Sequence, residues 1–261
     1  MRELWVSGMQ RQTRDDHGRI SADCRSIVRL SHNKVETTMI RRVINRLFPR
    51  AILATLRNIK ILSIEFGQYR TMRLWDCIDL DGNPIPWYSY PAIEYIKQLD
   101  LSDKSIFDYG SGNSTRFWAD RCEKLVSVED NREWYDNLKA KVPATVEYHC
   151  FEHKTAYIES IRQFHNEFDI IIIDGSHRYD CAVEALTRLR YDGFIILDNS
   201  DWKETTSKLL RDSDLIEVDM SGFGPINGYT WTTSFYFRRN VKLSPAQERQ
   251  PIHGIGSLKQ T

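Results

Sequence analysis

The stretch Lys104-Ser-Ile-Phe-Asp-Tyr-Gly-Ser-Gly-Asn-Ser-Thr115 decides the fold. Ile106 and Phe107 read as the end of a buried strand, and Asp108-Tyr109-Gly110-Ser111-Gly112 follows at once as a small-residue turn. Asn113, Ser114 and Thr115 are helix-capping residues, and Arg116-Phe117-Trp118-Ala119 begins a helical pattern. Strand, glycine turn and helix start in that order form a cradle for a small ligand, because glycine lets backbone approach it closely and unpaired N–H groups attract electron-rich atoms. A carboxylate two residues before the first glycine would repel a pyrophosphate. It suits a cationic or hydroxyl-bearing ligand.

Working outward, strand and helix signals alternate. Strands are expected at 105–108, 124–128, 145–150, 168–173 and 193–197, each followed by a helical pattern, which calls for a parallel sheet with helices on both faces. Phe168-Asp-Ile-Ile-Ile-Ile173 and Phe194-Ile-Ile-Leu197 are nearly continuous apolar runs, as strands buried on both faces should be. At the end, 215–220 and 231–237 are β-rich with a glycine-rich link and no helix between them, so an antiparallel hairpin closes the sheet. The fold class is α/β: a Rossmann-like, doubly wound, mostly parallel seven-stranded sheet with an antiparallel C-terminal hairpin, plus a helical N-terminal extension.

Ligands of an open parallel sheet bind outside the C-terminal ends of its strands. These ends carry Asp108, then Glu129-Asp130, then Phe151-Glu152, then Asp174-Gly175-Ser176-His177, then Asp198-Asn199. Glu129 lies about 20 residues beyond the glycines, where an acid can accept from both hydroxyls of a ribose. One polar strand cap would mean little. This many on one rim point to a site.

FDYGSGNST, the acid in SVEDN and the closing hairpin resemble the class I S-adenosylmethionine-dependent methyltransferases over about residues 86–237. The resemblance implies a cofactor site formed by Asp108, Gly110, Ser111, Gly112, Asn113, Glu129, Asp130, Phe151, Glu152 and Asp174. IIIDGSHRYD and GFIILDNSDW are similar to the corresponding segments of the metal-dependent O-methyltransferases. That likeness implies a Mg2+ held by Asp174, Asp198 and Asn199, with Asp174 and His177 catalytic and His177 the general base toward a hydroxyl. The departure from a dinucleotide fingerprint is Thr115, which stands where a third glycine would be. The expected activity is O-methylation of a small molecule or sugar. A catalytically silent binding or membrane-associated protein of the same fold and a nicotinamide-dependent oxidoreductase remain the alternatives.

Formal net charge is zero, but residues 1–73 hold 15 Lys+Arg against 6 Asp+Glu and the remainder 21 against 30. The acidic remainder does not favour nucleic acid as acceptor, and the expected partner is a small-molecule or glycan acceptor. Residues 1–38 read as a disordered tail, with Met39 open as the natural start. Residues 39–83 read as a basic helical extension offering a subunit contact or a peripheral membrane contact, 84–240 as the methyltransferase domain, and 241–261 as a flexible tail. Five scattered cysteines without a CxxC pair and a polar N-terminus lead to the expectation of reduced thiols in a cytoplasmic protein. The aromatics Trp87, Tyr88, Tyr90, Trp202 and Trp231 are candidates for lining an acceptor pocket.

Overall fold

The computed structural model describes residues 49–164 and 167–258. The expected tail at 1–38 and the first part of the expected helical extension lie outside the described residues. The chain divides into two units, 1–58 and 59–261. Helix α1 (Arg50–Lys60) starts directly after Pro49 and carries no buried residue. Its Ile52, Leu56 and Ile59 recur at helical spacing and are exposed. Among the described residues no helix is long and apolar enough to cross a membrane.

In the second unit a short π-helical turn (Ile61–Glu65) leads into α2 (Gln68–Leu74). This region, expected to belong to a separate extension that ends near residue 83, falls in the same unit as the sheet. The reason is local: Leu62 and Phe66 pack on the core. The buried Gln68 amide donates to the Gly224 and Asn227 carbonyls at 2.9 and 3.0 Å, and the Ile226 N–H donates to Thr71 Oγ1 at 2.8 Å.

From α3 (Tyr90–Ile96) and the short β1 (Leu99–Asp100) the expected alternation follows: β2 (Ser105–Tyr109), α4 (Asn113–Ala119), β3 (Lys124–Glu129), α5 (Arg132–Lys139) and β4 (Glu147–Cys150). Then come α6 (Lys154–Glu159), β5 (Phe168–Ile173), α7 (Arg178–Arg188), β6 (Leu189–Leu197), α8 (Glu204–Asp212), β7 (Ile216–Gly222) and β8 (Trp231–Phe237). Seven strands form one sheet in the order β4-β3-β2-β5-β6-β8-β7. The pairs among β2 to β6 are parallel, while β6–β8 and β7–β8 are antiparallel.

Side chains alternate across the pleat. Ile106, Ile170, Ile172 and Ile196 face one core with Ile93, Ile96, Phe117 and Trp118 of α3 and α4. Phe107, Tyr109, Ile171, Ile173 and Leu197 face the other with Tyr157, Cys181, Ala182, Ala185 and Leu210 of α6, α7 and α8. All six residues of β5 are buried. Each of its isoleucines contributes about 2–3 kcal/mol of transfer free energy, so the sheet centre is the firm platform for the loops above it.

The chain leaves β2 toward β3 on one side and returns to β5 on the other. The switch point of this sheet is therefore the gap between β2 and β5, and there the two loops touch. The C-terminal segment is tied down where a flexible tail was expected. Strand β9 (Ser244–Pro245) pairs with β1, the Ala246 N–H donates to the Gln98 carbonyl at 2.8 Å, and Glu94 accepts the Ile255 N–H at 2.9 Å. This segment finds its partners in backbone and polar groups of and after α3, which lie far from it in sequence.

Candidate active site

Gly110 has φ +109°, a conformation that costs side-chain-bearing residues dearly. A Cβ there would stand 2.7 Å from Gly175 N, while one on Gly175 would stand 2.2 Å from Tyr157 Oη. The β2 and β5 loops thus meet glycine to glycine, joined by the Asp174 and Gly175 N–H groups donating to the Tyr109 carbonyl at 3.0 and 2.6 Å.

Asp108 turns inward and is fully buried. Its Oδ2 accepts from Thr115 Oγ1 at 3.2 Å and from Ser127 Oγ at 3.1 Å, while Oδ1 has no partner among the described residues. Burial, and then the charge of Asp174, holds its pKa well above the ordinary carboxylate range. Thr115 earns its place in the third-glycine position through its hydroxyl, which also accepts the Gly112 N–H at 3.1 Å and so pins the turn to Asp108.

Glu129 is 7% exposed. Its Oε1 accepts the N–H groups of Asp130 and Asn131 at 3.1 and 3.0 Å, and its Oε2 accepts Ser111 N–H at 3.2 Å and Ser111 Oγ at 2.6 Å. The carboxylate is thereby fixed with its oxygens at the mouth of the switch point. Ser111 Oγ lies 2.8 Å from Tyr148 Oη as well.

Two cavities adjoin this turn and share Ser111, Trp134 and Asp174. One, of about 340 Å³, is bordered by Gly110, Glu129, Asp130, Asn131, Gly175 and Ser176 as well. The other, of about 550 Å³, extends over Gly112 and Asn113 to Trp75, Asp76, Cys77, Trp87 and Ile226. Asn113 positions the latter wall: its amide donates to Asp76 Oδ1 at 2.5 Å and to the Cys77 carbonyl at 2.8 Å, drawing the segment after α2 over the cleft. Trp134 Nε1 donates to the Ser111 carbonyl at 2.9 Å, which sets its half-exposed ring between the two cavities.

Phe151 and Glu152 stand apart from this grouping. Phe151 packs beside the second core with its ring 6.1 Å from that of His149, and Glu152 forms an exposed 3.0 Å pair with Arg132. Of the aromatics singled out in the sequence, Trp87 borders the larger cavity. Tyr88, Tyr90 and Trp231 are core residues, and Trp202 is exposed beside Tyr229 at 6.1 Å.

At the fourth and fifth strand ends the expected metal ligands already hold a cation, the guanidinium of Arg178. Its Nη2 donates to the Asp174 carbonyl at 2.6 Å and to Asp174 Oδ1 at 3.1 Å, and its Nε donates to the Gly175 carbonyl at 2.9 Å. Its Nη1 donates to the Asp198 carbonyl and, at 3.1 Å, to Asn199 Oδ1. Asp198 is buried, and its Oδ1 accepts from Trp231 Nε1 at 3.1 Å and from Thr233 Oγ1 at 2.5 Å. Burial, and then Asp174, raise its pKa well above the usual range. Among the described residues no His, Cys, Asp and Glu side chains are grouped to hold a metal ion. Asp174 Oδ1 and Asn199 Oδ1 are thus taken up by Arg178, and Asp198 Oδ1 by Trp231 and Thr233, which leaves a hard divalent ion fewer free oxygens than it needs.

Burial raises the Asp174 carboxyl to about 6 against the pull of Arg178. His177 is exposed at the rim in a left-handed conformation, φ 52°, with its ring 6.5 Å from that of Tyr157. Trp134, Tyr148, Asp76, Cys77 and Arg178 escaped the sequence reading as site residues. Arg178 had one usable signal, its place in DGSHR directly after a strand-end acid; Trp134 had another, a tryptophan on the polar side of a helix.

The sheet order, the closing hairpin and the glycine turn make a Rossmann-like α/β fold of the methyltransferase type, and residues 108–200 match a family described as "Methyltransferase domain". Among solved structures it resembles a precorrin-6y C5,15-methyltransferase from Geobacter metallireducens (15% identity, 57% of this chain and 87% of that one, TM-score 0.47). It also resembles a methyltransferase from Pyrococcus furiosus (14%, 66% and 99%, 0.44) and the N-methyltransferase NodS from Bradyrhizobium japonicum (12%, 56% and 92%, 0.41). No curated protein sequence matches the chain.

Proposed function

We propose that this protein transfers a methyl group from S-adenosylmethionine to a hydroxyl of a small-molecule or sugar acceptor. The observation that carries the reading is the pair of cavities at the switch point, joined at Ser111, Trp134 and Asp174, the smaller one having the Gly110–Gly175 junction and the Glu129 carboxylate in its wall. The smaller cavity, bordered by Glu129 and Asp130, suits the ribose of the cofactor, whose hydroxyls would exchange with Ser111 Oγ on Glu129 Oε2. Gly110 and Gly175 leave room for the methionine part, and Asp108 Oδ1 is a buried oxygen next to that turn without a partner among the described residues.

When bound, the cofactor supplies an electrophilic sulfonium methyl. A hydroxyl methylated there would have to give up its proton to a group of this chain. Asp174 borders both cavities and is the carboxylate we assign to take that proton; His177 at the rim is the second proton acceptor we assign. Trp75, Trp87 and Trp134 give the larger cavity flat apolar faces on which the C–H face of a sugar can stack, while Asp76 and Lys141 supply polar contacts. Incubation with S-adenosylmethionine and a panel of hydroxylated acceptors, read by mass spectrometry, should give a mono-methylated product from a small-molecule or sugar hydroxyl. Methylation confined to amines or nucleic acid would contradict the acceptor class.

A pH effect follows from Asp174. Its carboxyl in the folded protein titrates at about 6, above its ordinary value, so it is protonated at pH 5 and ionised at pH 7. Ionised Asp174 attracts the sulfonium of S-adenosylmethionine but gains nothing from the neutral thioether of S-adenosylhomocysteine. The affinity ratio of the two should therefore shift toward S-adenosylmethionine by roughly tenfold from pH 5 to pH 7, measured by calorimetry, and Asp174→Asn should flatten the profile. The same raised pKa means that the stability contributed by this group is present at acid pH and lost as pH rises through 6.

A further inference from the structure

We infer that the Arg178 guanidinium is the resident cation of this site: it occupies the place between the fourth and fifth strand ends that a divalent ion would need and makes the site independent of metal. The inference rests on the functional reading above for its meaning, but on its own geometry for its support. Five donor–acceptor pairs converge from one guanidinium on Asp174 (carbonyl and Oδ1), Gly175, Asp198 and Asn199. The Arg178 side chain is 13% exposed and that of Asp174 22%, so the pair lies inside the protein, where an unneutralised carboxylate is costly.

The backbone is bent to make this possible. His177, which precedes Arg178 in sequence, and Asn199, whose side chain meets its guanidinium, both take left-handed conformations, φ 52° and 47°. Such conformations cost non-glycine residues free energy that the surrounding structure must offset. The turn at His177 starts α7 so that its first residue, Arg178, reaches back across the ends of β5 and β6. The turn at Asn199 aims its side-chain oxygen at Nη1 of the same guanidinium. The planar fork of arginine matches several acceptors at fixed angles, as a lysine ammonium could not. Asp198 meanwhile spends its Oδ1 on Trp231 and Thr233. Arg178 is therefore a positioning residue that locks the two loops bearing Asp174 and Asp198, with its charge standing in for the ion.

The test uses the full chain and Mn2+ as the probe, with free Mn2+ read by electron paramagnetic resonance. The wild-type protein should leave millimolar Mn2+ free, and its binding of S-adenosylhomocysteine should be unchanged by a chelator. Arg178→Met, which keeps an unbranched apolar stem without the charged head, should bind Mn2+ at least about tenfold more tightly than wild type, because Asp174 and Asn199 then lack a cation. Should Arg178→Met not fold, Arg178→Gln, which retains hydrogen-bond donors, takes its place with the same expected gain. One equivalent of Mn2+ bound by the wild type and lost in Asp198→Asn would overturn the inference, as would a folded Arg178→Met or Arg178→Gln protein that gains no Mn2+ binding. Failure of the functional reading is seen separately: a wild-type protein that binds neither S-adenosylhomocysteine nor Mn2+, together with an Arg178→Met protein that gains Mn2+, upholds Arg178 as the resident cation and defeats the methyltransferase reading.

Discussion

Gly110→Ala should destabilise the protein by about 2–4 kcal/mol and remove measurable S-adenosylhomocysteine binding. Two costs add. The residue would have to keep φ at +109°, and its Cβ would meet the backbone of Gly175 at 2.7–2.8 Å. Backbone cannot swing aside as a flexible side chain does, and Gly175 is held by its own N–H on the Tyr109 carbonyl. The β2 and β5 loops must therefore separate, and this separation distorts the floor of the smaller cavity and displaces Ser111 and Asp174, which border both. Chemical denaturation measures the first effect and calorimetry the second. A variant with unchanged midpoint and unchanged affinity would show that the loops do not meet as described.

Glu129→Ala should weaken S-adenosylhomocysteine binding by roughly 100-fold, on the basis of about 1.5–3 kcal/mol for each hydrogen bond to a charged group. The carboxylate collects four donors in the free protein, from Ser111, Asp130 and Asn131. Its loss therefore also leaves the Asp130 and Asn131 N–H groups short of an acceptor, and a smaller fall in stability accompanies the fall in affinity. Glu129→Gln separates the effects: it keeps an acceptor for some of these donors but loses the charge, so it should restore most of the stability and little of the binding. Equal recovery of both would make Glu129 a loop clamp and not a ribose ligand.

The parts of this molecule legible in the sequence are those built from local periodicity. The apolar runs of β5 and β6 fall where they were expected, because strands buried on both faces leave no other composition to choose from. The place of Glu129 at the end of β3, beside the glycine turn, was legible for a related reason: the length of one strand–helix–strand unit fixes its distance from Gly110. The reach of residues 75–77 over the cleft was not, because it depends on Asn113 meeting Asp76 and Cys77, a contact between segments 36–37 residues apart without a periodic signature.

The same limit explains the strand-end acids. Their spacing says that carboxylates gather on one rim, but it does not say what neutralises them. Asp174, Asp198 and Asn199 read as ligands of an ion, and only the start of α7 places Arg178 against the Asp174 carboxylate, the Asp198 carbonyl and the Asn199 amide oxygen. The docked C-terminal segment and the residues of 59–83 that join the domain were hidden in a similar way. Their hydrogen bonds run to α3 and to the β7–β8 link, and polar, proline-bearing stretches look alike whether they dangle or dock.

The central claim is that the switch point between β2 and β5 binds S-adenosylmethionine and its product. Calorimetric titration of the full chain with S-adenosylhomocysteine tests it most directly. The account predicts one equivalent bound with micromolar affinity, insensitive to chelator and lost in Glu129→Ala. A wild-type protein that takes up no S-adenosylhomocysteine at millimolar concentration, or one whose binding is indifferent to both Glu129→Ala and Gly110→Ala, would contradict it.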